Sequence, residues 1–63
     1  MKYNYRISYD FTTLTSEGVG CTGVTRNSQI TSFDDLKEIE NSLKKHYGYT
    51  FCIITKYELL SVR

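Results

Sequence analysis

The 63-residue sequence contains no proline and no tryptophan, and it has only four glycines and two cysteines. Nothing in it has the composition of a linker or a low-complexity segment, so we predict a single domain spanning residues 1–63. Disulfide-stapled mini-domains usually carry about four to eight cysteines. Cys21 and Cys52 are therefore expected to be reduced and to act as small apolar side chains.

The sequence also lacks the residues that a metal site or a membrane span needs. Two cysteines and one histidine, His46, cannot complete a zinc site of the usual Cys/His type. We expect no metal and no other cofactor. No apolar run approaches the roughly 18 residues of a membrane-spanning helix, and no apolar leader segment precedes the first strand pattern. We therefore expect no membrane association and a cytoplasmic location.

Charge of either sign is not in excess, because eight basic and seven acidic residues give a net charge of +1. A dedicated nucleic-acid binder usually has a basic stripe or a high isoelectric point, so nucleic acid is not the expected partner. His46 has no signal for an acid–base partner or a substrate pocket beside it. We predict that the protein is not an enzyme and has no catalytic residues.

Two strands are indicated in the first half of the chain. Residues 3–12 alternate between apolar or aromatic side chains at odd positions and polar side chains at even positions, which is typical of a half-buried strand. Residues 19–27 predict a weaker strand, in which Gly20 and Gly23 indicate a bulge or a close approach. Together they form a hairpin over residues 2–27.

One helix is predicted over residues 33–47. Ser32 is its N-cap, Asp35 completes a variant capping box, and Gly48 ends it. A third strand is predicted over residues 49–60, where the run Phe51–Ile54 is apolar on both faces.

The predicted order of elements is therefore ββαβ. A helix returns the third strand antiparallel to the first, which gives a three-stranded sheet of order 2-1-3. The fold class is α+β, a two-layer sandwich with one helix on one face of the sheet. The residues expected in the core are Ile7, Tyr9, Phe11, Leu36, Ile39, Leu43, Phe51 and Ile53.

Residues 18–23, Gly-Val-Gly-Cys-Thr-Gly, match the dinucleotide-binding pattern G-x-G-x-x-G. That fingerprint requires a helix that opens at the glycines, and the sequence that follows is β-prone instead. The glycines are therefore interpreted as part of a hairpin strand, and no cofactor-binding residue is assigned.

The third strand is longer than one helix can cover, which predicts an exposed apolar surface. If Phe51 and Ile53 face the helix, the outer surface and the tail carry the predicted interface, Cys52, Ile54, Leu59, Leu60 and Val62. We predict a homodimer through this edge strand. A monomer whose tail curls back over the open sheet is the alternative.

The chain resembles small, uncharacterised accessory proteins of phages and prophages of low-GC Gram-positive bacteria. The motifs that carry the resemblance are the opening Met-Lys-Tyr-Asn-Tyr-Arg-Ile-Ser-Tyr, Glu17–Gly20 at a turn, Ile39-Glu40 with Lys44-Lys45 on the helix, Tyr47–Tyr49, and Ile53-Ile54. The resemblance implies a factor that binds and modulates a host protein, including proteins of defence systems, in the cytoplasm of the bacterial host. It assigns no functional residues.

Two functional hypotheses follow. The first is a non-enzymatic protein-interaction module that is a homodimer and modulates a host protein. The alternative is a small nucleic-acid-binding accessory protein that uses exposed tyrosines and the basic residues Arg6, Arg26, Lys56 and Arg63.

Overall fold

The sheet and the helix form in the predicted order in a computed structural model that describes residues 1–63. The elements are β1 (Tyr3–Thr12), β2 (Glu17–Arg26), α1 (Phe33–Tyr47) and β3 (Phe51–Val62). β1 lies in the centre and pairs antiparallel with both neighbours, so that the strand order is β2-β1-β3. The predicted α+β architecture is confirmed.

The odd-numbered side chains of β1 face α1, and two of them explain two of the three glycines of β2. Tyr9 is opposite Gly20 and Phe11 is opposite Gly18. A Cβ on Gly20 would lie 2.6 Å from Cζ of Tyr9, and one on Gly18 would lie 3.2 Å from Cζ of Phe11. The two aromatic rings therefore lie across glycines of the neighbouring strand. The glycine motif belongs to a continuous strand, and no helix opens at it.

Both ends of α1 have the predicted caps. The Ser32 hydroxyl accepts a hydrogen bond from the Asp35 backbone N–H, and the Asp35 carboxylate accepts one from the Ser32 backbone N–H at 3.2 Å. Gly48 has a φ of 76°, a left-handed conformation that favours glycine, and its N–H donates to the Lys44 carbonyl at 2.8 Å. The helix is therefore fixed at both ends by local chemistry.

The buried core is small, and three of its residues, Tyr5, Ile30 and Cys52, are not among those predicted for it. Ile30 lies in the connection between β2 and α1, where it is buried and its backbone N–H donates to the Tyr5 hydroxyl at 2.9 Å. This bond satisfies a backbone donor that would otherwise be buried without a partner. The buried residues are Tyr5, Ile7, Tyr9, Ile30, Ile39, Leu43 and Cys52.

The prediction that Phe51 and Ile53 face the helix is wrong. Phe51 is 52% exposed and Ile53 is also exposed, whereas Cys52 is only 5% exposed. The pairing register places Cys52 opposite Phe11, and opposite residues in antiparallel strands share a face. Four consecutive apolar residues carry no alternation, so the sequence could not show which pair faces inward. The predicted core residues Phe11 and Leu36 are only partly buried.

β3 changes its alternation twice because its pairing with β1 is interrupted. The register passes over Thr55 and again over Leu60, which have no partner in β1 and form bulges. Each bulge shifts which residues face the helix. Beyond the first bulge, the residues on the same side of the sheet as α1 are Tyr57, Leu59 and Val62, and all three are exposed.

We predict that Ile39→Ala destabilises the domain by about 2–5 kcal/mol, because it removes a buried side chain from the contact between helix and sheet. Ile39 is 4% exposed. Phe33→Ala, on the same helix at an exposed position, is the control and should change the unfolding free energy little. Urea denaturation of the three proteins measures both effects. An unchanged midpoint for Ile39→Ala would contradict the packing of the helix.

We also predict that Gly20→Ala costs about 1–3 kcal/mol of stability, because its Cβ would overlap the buried ring of Tyr9. Gly23→Ala in the same strand is the control, since its Cβ would come no closer than 4.0 Å to the nearest atom. Thermal unfolding compares the two variants. Equal midpoints would show that the ring does not need the glycine.

Candidate interaction surface

The residues with catalytic chemistry are not assembled into a site. His46 is exposed at the end of α1, where its ring lies edge-on against Tyr47 with a centroid distance of 4.6 Å. No acidic side chain forms a hydrogen bond or ion pair with it. No three His, Cys, Asp or Glu side chains come together in a way that could hold a metal ion.

Aromatic side chains near the end of β1 and the start of β3 pack against one another. The rings of Phe11 and Tyr49 stack at 4.3 Å, and the ring of Tyr47 stacks on Tyr49 at 5.4 Å. The hydroxyls of Tyr9 and Tyr49 share a hydrogen bond of 3.0 Å. Burial, followed by this hydrogen bond, raises the pKa of Tyr9 well above its usual range. Tyr9 is therefore a neutral structural residue.

Two of the basic residues considered for nucleic-acid binding are occupied in ion pairs. Arg6 binds Glu58 at 2.8 Å on the open face, which is the sheet face opposite α1. Arg26 binds Asp35 at 3.1 Å beside the start of the helix. The hydrogen bond from the Thr31 backbone N–H, together with those from Ser32 and the charge of Arg26, lowers the pKa of Asp35. These pairs leave no basic stripe across the sheet.

The two cysteines lie on opposite edges of the sheet and on opposite faces. Cys21 is exposed and Cys52 is buried, and neither forms a disulfide. β1 separates their strands, which sit about 9–10 Å apart, beyond the reach of a disulfide. Burial, with a smaller contribution from Glu40, raises the pKa of the Cys52 thiol. The expectation that both cysteines act as small apolar side chains therefore holds for Cys52, which is buried, and is wrong for Cys21, which is exposed.

The residues predicted to form an interface divide into two groups. Cys52 is part of the buried core and Ile54 packs against it, so their predicted outward orientation is wrong for the reason given for Phe51. Leu59, Leu60 and Val62 are exposed as predicted. Tyr57, which the sequence did not indicate, is exposed beside them. We refer to the set Tyr57, Leu59, Leu60 and Val62 as the β3 patch.

The outer edge of β3 is protected at one point only. The backbone N–H of Ile54 donates to the Glu40 carboxylate at 2.8 Å, so the helix supplies a partner for this edge donor. No other side chain accepts a hydrogen bond from the backbone of β3. The edge beyond Ile54, which borders the β3 patch, therefore keeps its outward backbone groups available.

The fold and this surface define a two-layer α+β sandwich with one uncovered sheet face and one exposed apolar edge strand. Comparison with protein-family models, with curated proteins and with solved structures finds no significant match. The one helix has neither the length nor the apolar character to cross a bilayer.

We predict that one thiol per chain reacts rapidly with an aromatic disulfide reagent in the folded protein. The exposed Cys21 should react, whereas burial and a raised pKa protect Cys52. Cys21→Ser should remove the fast phase, and denaturant should restore the reaction of the second thiol. Two equally fast thiols in the folded protein would contradict the placement of Cys52.

Proposed function

We propose that the protein is a non-enzymatic interaction module that forms a homodimer through β3. The observation that carries the proposal is the β3 patch, a set of four exposed apolar or aromatic residues on an edge strand. Its most exposed member, Leu60, is 57% exposed. Apolar surface of this kind on a small domain is typical of protein–protein contacts.

The size of the domain supports self-association. Only seven of its 63 residues are buried, and a chain of this length gains little stability from its own core. Phe51 and Ile53 are also exposed, on the opposite, open face of the same strand, so β3 carries apolar surface on both of its faces. A two-fold dimer buries the same apolar surface on both copies, and the same contact pairs the free edge of each β3.

The dimer is further proposed to act on a bacterial host protein as a phage- or prophage-encoded accessory factor in the cytoplasm. The resemblance to such proteins supports this step, and a host defence protein is one target that the resemblance implies. Affinity capture from a bacterial lysate by the wild-type protein, with a Val19→Glu variant of the open face alongside it, tests this step. Because a dimer through the edge strand leaves the open face uncovered, we expect this face to bind the host protein. The wild type should then retain a host protein that the variant loses, since Val19 is 79% exposed on that face.

We predict that the wild-type protein sediments at micromolar concentration with twice the 7.3 kDa mass of the chain. Leu60→Glu should shift it to monomer, because a charge would be placed in the contact. Leu14→Glu introduces the same charge at a 92% exposed position in the hairpin turn and should leave the dimer intact. Wild-type protein that remains monomeric at all concentrations would refute the proposed dimer.

A further inference from the structure

The backbone groups of β3 that point away from β1 can be identified from the pairing. Lys2 and Arg63 exchange two backbone hydrogen bonds, and the Thr50 N–H donates to the Thr12 carbonyl at 2.8 Å. Even-numbered residues of β1 and its extensions therefore bond toward β3. Their partners Lys56 and Glu58 bond inward to β1, and by alternation the N–H and C=O of Tyr57 point outward.

Ile54 provides an independent check on this assignment. It is opposite Tyr9, an odd-numbered residue, so its backbone groups should also point outward. Its N–H indeed meets the Glu40 carboxylate and not a strand.

The two bulges limit where a second strand can add. Regular pairing between them runs only from Lys56 to Leu59. A strand that adds to this edge must centre on that short segment, because a bulge twists the edge and interrupts the ladder.

We propose that a second copy of the chain adds antiparallel to this segment with Tyr57 on the two-fold axis. The inference rests on the proposed dimer and specifies its register. Lys56 then lies opposite Glu58 of the second copy, and Glu58 lies opposite Lys56 of the second copy. Two Tyr57 residues exchange two backbone hydrogen bonds, and the two sheets join into one with six strands.

Charge selects this register over its neighbours. An axis through Lys56 places lysine directly opposite lysine, and an axis through Glu58 places glutamate opposite glutamate. Like charges directly opposite in a sheet are destabilising, and opposite charges are stabilising. An axis through Leu59 places Glu58 opposite the bulge residue Leu60. A two-fold axis that passes between two residues would pair residues of different faces, which antiparallel strands do not allow.

In the single chain, the charged residues of this segment are already placed so that they can form the contact. Lys56 forms no ion pair within the chain, whereas Glu58 already binds Arg6 at 2.8 Å. The dimer extends this pair into a chain of three alternating charges, Arg6, Glu58 and Lys56 of the second copy. Tyr57 is positioned by its edge-on contact with Tyr5, with ring centroids 6.1 Å apart.

The test mixes two chains with opposite charge changes. Lys56→Glu makes the segment wholly acidic and Glu58→Lys makes it wholly basic, so each homodimer has only like charges across the axis. We expect each variant alone to dimerise at least about tenfold more weakly than the wild type. Mixed in equal amounts, they should form a one-to-one heterodimer with wild-type affinity or better, measured by sedimentation equilibrium and native mass spectrometry.

The control pair carries the same charge changes outside the segment. Glu38→Lys and Lys45→Glu lie at exposed positions on α1 and should dimerise alone as the wild type does, without preferring the mixed dimer. If the wild type dimerises but the Lys56→Glu chain shows no preference for the Glu58→Lys chain, the register is overturned and the proposed dimer stands. Wild-type monomers would overturn both.

Discussion

The packing of the odd face of β1 is the interaction on which the rest of the structure depends. Tyr5, Ile7 and Tyr9 are buried in the centre of the sheet, and each of the two tyrosines organises a neighbouring element. The Tyr5 hydroxyl holds the connection into the helix through Ile30, and the Tyr9 ring lies over a glycine of β2. Because these side chains are large, the adjacent strand needs a glycine where the Tyr9 ring lies against it, and the helix must cover the side chains.

The local elements could be predicted from the sequence because local chemistry specifies them. Strict alternation defined β1, and the capping residues Ser32 and Gly48 defined the helix. The strand order also followed, since the aromatic strand suits the centre and the glycine-bearing strand suits an edge. The orientation of β3 did not follow, because the apolar run Phe51–Ile54 has no polar member and only pairing with β1 decides its phase.

The candidate surface was predicted in part for the same physical reason. Leu59, Leu60 and Val62 lie beyond the reach of the helix, so a length argument was enough to expect their exposure. Cys52 and Ile54 required the register, and Tyr57 required the bulges, which depend on long-range pairing that a sequence period does not encode. Ile30 was missed because it lies in a connection without a periodic pattern, where its backbone N–H donates to the Tyr5 hydroxyl.

The bulges give β3 two properties that a regular edge strand would not combine. They turn the apolar residues Tyr57, Leu59 and Val62 toward the helix side and place Lys56 and Glu58 on the open face. They also leave only a short regular segment, which protects the edge from indiscriminate pairing with other strands. A segment this short has few backbone bonds to offer, so specificity must come from side chains. The alternation of lysine, tyrosine and glutamate within it is complementary to itself in one register, which is the property that distinguishes a closed dimer from open-ended aggregation.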